Sequence, residues 1–193
     1  MELLFIRHGQ GEHTLDVPDS LHTSDPSLTF EGINQAKELK RNFPLTHSDV
    51  LIISPVRRTL QTAQIWSEDT ACKKIVSPLV SPRMFPQNPE WVTLPCDQIL
   101  TKDKIREDFP DFHVEEERAG EWWEKGMNTL PDTEFQILAK DFLEWCKSFG
   151  NHRIYIVSHD GTITSYRQFI TGRELSRKDF PKETWFLKVQ YNR

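Results

Sequence analysis

The chain has 193 residues, of which 37% are apolar, enough for one well-buried core and short for two, so a single domain spanning residues 1–193 is expected. The formal charge of −5 is spread over mixed signs, with no block of lysine or arginine that would follow a phosphate backbone, so nucleic acid is not an expected partner. Cys72, Cys96 and Cys146 are far apart, odd in number and without metal-binding spacing, which predicts reduced thiols in a cytoplasmic protein, and no window is apolar over the length that a membrane span needs.

Glu2–Ile6 reads as a short strand buried on both faces, and it runs straight into Arg7-His8-Gly9. "LTFEGINQAKELKRNF" then carries Leu28, Ile33, Ala36, Leu39 and Phe43 near helical spacing, with Thr29 as N-cap. "DVLIISP" predicts a second buried strand, and "RRTLQTAQIWSE" a helix with Leu60, Ala63 and Trp66 on one side. "KKIVSPLV" is a shorter third strand.

From Ser81 to about Phe112 the text is rich in proline and polar residues and predicts one short helix near Lys102–Asp108. The stretch 81–131 is expected to be an insertion or cap in the α/β frame, with Trp122 and Trp123 either in a lid or folded back on the core. "DTEFQILAKDFLEWCKSF" is the clearest helix, started by an aspartate and ended near Gly150. "HRIYIVSHDG", "TITSYRQFITG" and "TWFLKVQYN" follow as strand, helix and strand, the helix ended by Gly172. Strands alternating with helices predict an α/β sheet, mostly parallel and covered on both faces.

Three of these strands end in polar groups: Arg7-His8-Gly9, Ser54 with Arg57-Arg58, and Ser158-His159-Asp160-Gly161. Ligands of open α/β sheets bind at the carboxyl ends of parallel strands, so the three motifs should meet in one crevice. A lone histidine after a strand is more often structural, and Arg57 is expected to be solvated. Several cationic groups gathered at one place repel one another unless an anion neutralises them, and a phosphoryl group meets that need.

"RHGQGEH", "LTFEGINQA", "SPVRRTLQTA" and "VSHDG" together resemble the histidine phosphatase superfamily, which includes the cofactor-dependent phosphoglycerate mutases, and they extend over about residues 2–172. "QGEH" and "LPCD" resemble in particular its mutase-like phosphatase branch in plants and fungi. The resemblance implies a three-layer, phosphoglycerate mutase-like sandwich, His8 as nucleophile, Arg7 and Arg58 as phosphate clamps, and His159 as second histidine. It further implies a small phosphorylated substrate, with no metal and no cofactor. Gln10 and Gly11 would line the phosphate pocket through amide groups, with Gly161 and Asp97 also facing substrate, while Glu12 and His13 would shape the loop or touch it. Backbone N–H groups at helix starts after Gly9 and Gly161 would add donors.

Many relatives carry a glutamate soon after the third strand to protonate the leaving oxygen. "LVSPRMFPQ" has no carboxylate there, which leaves Asp160, Asp97 and Glu90, in that order, as candidates for the acid. Hydrolysis is expected ahead of mutase action, because the insertion has no extra cationic cluster to hold a second phosphate. A non-catalytic phosphate-binding module is the third reading. Trp122, Trp123, Phe85 and Trp91 suggest a pocket for a flat or apolar group. Oligomeric state is not legible.

Overall fold

Short apolar runs form the centre of a six-stranded sheet in the computed structural model, which describes residues 1–150 and 153–191. The strands are β1 (Glu2–Arg7), β2 (Val50–Ile53), β3 (Lys73–Val76), β4 (His113–Val114), β5 (Ile154–Ser158) and β6 (Phe186–Gln190), in the order β4-β3-β2-β5-β1-β6. All neighbours are parallel except β6, which runs antiparallel to β1 at the edge. The helices are α1 (Phe30–Asn42), α2 (Arg57–Ser67), α3 (Lys102–Asp108), α4 (Trp122–Lys125), α5 (Asp132–Lys147) and α6 (Asp160–Thr171).

Side chains alternate across a strand, so each central strand serves two cores. Leu3, Phe5, Val50, Ile52, Ile154 and Ile156 face one, where Phe135, Leu138, Phe142 and Cys146 of α5 pack with Ile163 and Tyr166 of α6. Leu4, Ile6, Leu51, Ile53, Tyr155 and Val157 face the other, against Leu39 of α1, Leu60, Ala63 and Trp66 of α2, and Ile105 of α3. The result is the expected α/β arrangement of a mostly parallel sheet between two helical layers. Among the described residues no helix is long and apolar enough to cross a membrane.

Local chemistry sets the helix ends. Thr29 caps α1 by accepting the Gly32 N–H at 3.0 Å. Gly172, with φ +66°, closes α6 in the left-handed conformation open to glycine. Asp132 starts α5 as expected, and its carboxylate meets Arg83 at 2.6 Å. Two expectations shift. "KKIVSPLV" is strand only to Val76, after which Ser77 starts a tight turn over Pro78–Val80. The two-residue β4 extends the sheet from within the stretch 81–131 expected to be an insertion. The ends of the last two expected strands at His152 and Asn192 lie outside the described residues.

Topology places the site. β5 lies between β1 and β2, so the three strands that end in polar motifs are immediate neighbours. The Ser54 N–H donates to Val157 O at 3.0 Å and the His8 N–H to Ser158 O at 3.1 Å, which carries the sheet register one residue beyond each strand into the motifs.

Candidate active site

Arg58 lies at the centre of the carboxyl edge, with 1% of its surface exposed. Its Nε–H donates to His8 Nε2 at 3.2 Å, its Nη1 to the Cys96 carbonyl at 2.6 Å, and its Nη2 to Asp97 Oδ1 at 2.9 Å and His159 Nδ1 at 3.2 Å. The first turn of α2 presents it there, and Thr62 one turn later accepts the Gly9 N–H at 3.1 Å, tying α2 to the end of β1. Burial pulls the guanidinium below its ordinary pKa, and Asp97 opposes that pull.

Neighbours with only one hydrogen-bonding role determine both imidazole tautomers. His8 Nδ1 lies 2.6 Å from the Gly9 carbonyl, which can only accept, so Nδ1 carries the hydrogen and Nε2 the lone pair. His159 Nδ1 faces a guanidinium that can only donate, so its hydrogen sits on Nε2 and is given to Ser54 Oγ at 2.8 Å. The two rings stand 5.1 Å apart. Burial first, then the positive charge of Arg58, holds both well below the ordinary imidazole value. The ring of His13, 5.6 Å from that of His8, is lowered to about 3 by the same causes, and its buried Nδ1 has no partner among the described residues.

Arg7 enters from β1 itself. Its Nη1 donates to the Pro181 carbonyl at 3.1 Å, its Nη2 pairs with Asp160 at 3.0 Å, and its buried Nε is unpartnered. Arg7, His8, His13, Arg58, Asp97, His159, Asp160 and Gly161 thus line one cavity of about 600 Å³.

Several expected positions differ. Gln10 and Gly11 stand behind the wall. Gln10 ties β1 to α1, its backbone N–H donating to Gln35 and its carbonyl and side-chain oxygen accepting from Thr29. Gly11 backs the site, and a Cβ there would come within 2.6 Å of the His13 ring. No α-helix starts directly after Gly9, only a single 3-10 turn over Glu12–Thr14, and the Gly161 N–H is taken by the Asp160 carboxylate at 2.7 Å. Glu90 is exposed and off the cavity wall. Arg57 is not solvated but pinned between Asp25 at 2.6 Å and Asp108 at 2.8 Å. Trp122 and Trp123 flank the two cores away from this cavity, the latter donating to the Glu115 carbonyl. Ser54 was expected at the crevice, whereas sequence reasoning assigned no site role to Thr62, Asn128 or Pro181. Their parts depend on contacts between distant segments, which leave no local pattern.

A parallel α/β sheet that gathers two neutral imidazoles and two guanidinium groups at its carboxyl edge defines a protein that handles a tetrahedral oxyanion. The family model of the histidine phosphatase superfamily (branch 1) matches residues 3–182, and the chain belongs to that superfamily. Phosphoserine phosphatase 1 of Hydrogenobacter thermophilus is 27% identical over 179 residues, 92% of this chain and 79% of that protein. A protein of Schizosaccharomyces pombe named as a probable phosphatase is 34% identical over 65 residues, 33% of this chain and 30% of its own. Among solved structures, an α-ribazole phosphatase of Shigella flexneri matches with TM-score 0.61 at 20% identity, covering 100% of this chain and 91% of that one. A phosphoserine phosphatase of Entamoeba histolytica, in complex with phosphoserine, matches with TM-score 0.61 at 22% identity, covering 97% and 89%.

Proposed function

We propose that the protein hydrolyses phosphate monoesters through a phosphohistidine formed on His8, without metal ion or cofactor. The observation that carries this reading is the lone pair on His8 Nε2, oriented by the Gly9 carbonyl and approached by a permanently charged guanidinium. In the first step Nε2 attacks phosphorus in line and the bond to the leaving oxygen breaks, that oxygen taking a proton from a carboxylic acid. In the second, water attacks phosphorus, the P–N bond breaks, and the proton of the water returns to the carboxylate. Arg7 and Arg58 stabilise the charge that spreads over the equatorial oxygens, for which a planar fork suits better than an ammonium. His159 faces the same oxygens, and a bound dianion would raise its pKa and allow Nδ1 to donate.

Asp160 and Asp97 both line the cavity, which supports either as the acid, Asp160 being the first choice. The single domain carries an insertion over residues 81–131, from which Phe85, Trp91 and Asp97 line the cavity. Relatives named as phosphoserine and α-ribazole phosphatases support a small phosphorylated substrate. Three free, buried thiols support a cytoplasmic setting. Hydrolysis is favoured over transfer to a second phosphate, since Arg83 at the cavity turns its guanidinium toward Asp132 and the Met127 and Leu130 carbonyls.

Turnover of p-nitrophenyl phosphate in EDTA, with and without His8→Ala, tests the reading. The expected result is activity unaffected by EDTA and reduced by roughly a thousandfold or more in the variant, with enzyme quenched in alkaline detergent holding base-stable, acid-labile phosphate only when His8 is present. Activity that needs a metal or survives the substitution would overturn it.

A further inference from the structure

We propose that the outer half of the cavity is a subsite for an apolar leaving group, so that the preferred substrates are monoesters of apolar alcohols or phenols. This deepens the hydrolase reading and rests on it. The inner end holds the imidazoles and guanidinium groups, and a single phosphate fills only a small part of about 600 Å³. Cavities of roughly 300–1,000 Å³ suit a ligand with a substantial organic part.

The remaining wall is apolar. Val17 and Leu21 come from one loop, Phe85, Trp91 and Val92 from a second, and Phe180 from a third. Val17, Trp91 and Val92 are 60%, 46% and 74% exposed, so three large apolar side chains stand in water around one opening. Such a concentration costs solubility unless something covers it in use. The loops are braced against each other, the turn Asp19–His22 packing on the turn Pro95–Asp97.

Most polar groups on this wall are already engaged, His13 Nδ1 at the inner end being unpartnered among the described residues. Asp97 is held by Arg58 and Asn128, Asp160 by Arg7 and Gly161, and Thr14 donates to the Gly11 carbonyl. Arg83 is turned away toward Asp132. Arg177 is exposed at the mouth, its guanidinium carbon 5.8 Å from the centre of the Phe180 ring. An ammonium group such as that of phosphoserine would have to compete with an arginine for either carboxylate, at the cost of leaving a buried charge unpaired.

Primary alkyl phosphates from ethyl to octyl share one leaving-group chemistry, so their chain length reads burial alone. The expected kcat/KM rises by about two- to fourfold per methylene until the wall is filled, and phosphoserine falls at least tenfold below butyl phosphate. Trp91→Ala, an exposed position whose loss should leave the melting temperature unchanged, is expected to lower kcat/KM about fivefold or more further for octyl phosphate than for ethyl phosphate. A flat chain-length profile, phosphoserine equal to butyl phosphate, or an equal effect of Trp91→Ala on ethyl and octyl phosphate would overturn the subsite while hydrolysis stands. Failure to turn over any monoester, p-nitrophenyl phosphate included, would remove the hydrolase reading and the subsite with it.

Discussion

His8 has a usable lone pair because one neighbour can only accept and another can only donate, and Arg58 is that second neighbour while also holding Cys96, Asp97 and His159. A lysine in its place offers a point charge and cannot reproduce the fork, so Arg58→Lys is expected to lower kcat/KM by on the order of a hundredfold or more, read with p-nitrophenyl phosphate. Leaving-group chemistry separates the candidate acids. p-Nitrophenolate departs without a proton and an alkoxide does not, so Asp160→Asn should cost alkyl phosphates at least tenfold more than p-nitrophenyl phosphate if Asp160 is the acid. The same asymmetry in Asp97→Asn would transfer the role to Asp97. The sequence alone ranked Asp160 ahead of Asp97 and Glu90 but could not show that each aspartate is tied to an arginine from a different segment.

Helices and loops meet the sheet by close backbone approach at two glycines. A Cβ on Gly32 of α1 would come within 2.1 Å of the Gln10 carbonyl oxygen, and one on Gly161 of α6 within 2.1 Å of the Arg83 carbonyl oxygen. Both obstacles are backbone and cannot swing aside, so Gly161→Ala is expected to lower stability in urea by roughly 1–3 kcal/mol and to displace His159 beside it. α6 is also anchored by Tyr166, whose buried hydroxyl donates to the Leu79 carbonyl at 2.7 Å. Tyr166→Phe should cost about 1–2 kcal/mol in the same measurement, with the ring packing retained. Helix and strand identities were legible from periodicity, since α2, α5 and the buried strands each show one repeating apolar spacing. The position of Trp122 and Trp123 was not, because two adjacent rings on one short helix face different cores, and no local spacing tells which element covers them.

At the scale of the molecule, three buried imidazoles link folding to pH. His8, His13 and His159 are all lowered in the folded state, so the unfolded chain binds more protons below the ordinary imidazole value near 6.5. Stability contributed by these groups is therefore fully present above pH 6.5 and is lost as pH falls, continuing to about pH 3 for His13. Each should contribute a slope of about 1.4 kcal/mol per pH unit. Urea unfolding at pH 7.5, 6.0 and 5.0 should show it, and His13→Gln should flatten the decline. A stability unchanged across that range would contradict the burial of these rings as neutral groups.

Residue order by itself determined which strands are buried on both faces, where α2 and α5 run, and that Arg7, His8, Arg58 and His159 belong to one chemistry, because each apolar repeat and each of the four motifs is written in a short run of consecutive residues. Tertiary structure alone decided that β5 lies between β1 and β2, and with it the meeting of three strand ends. It also decided that Arg57 turns to Asp25 and Asp108, that Gln10 braces α1, and that three separate loops converge to form one apolar wall. The physical reason is that helix and strand patterns follow from neighbours along the chain, whereas the partner of a buried charge is chosen by whichever distant segment the packing brings within hydrogen-bonding distance.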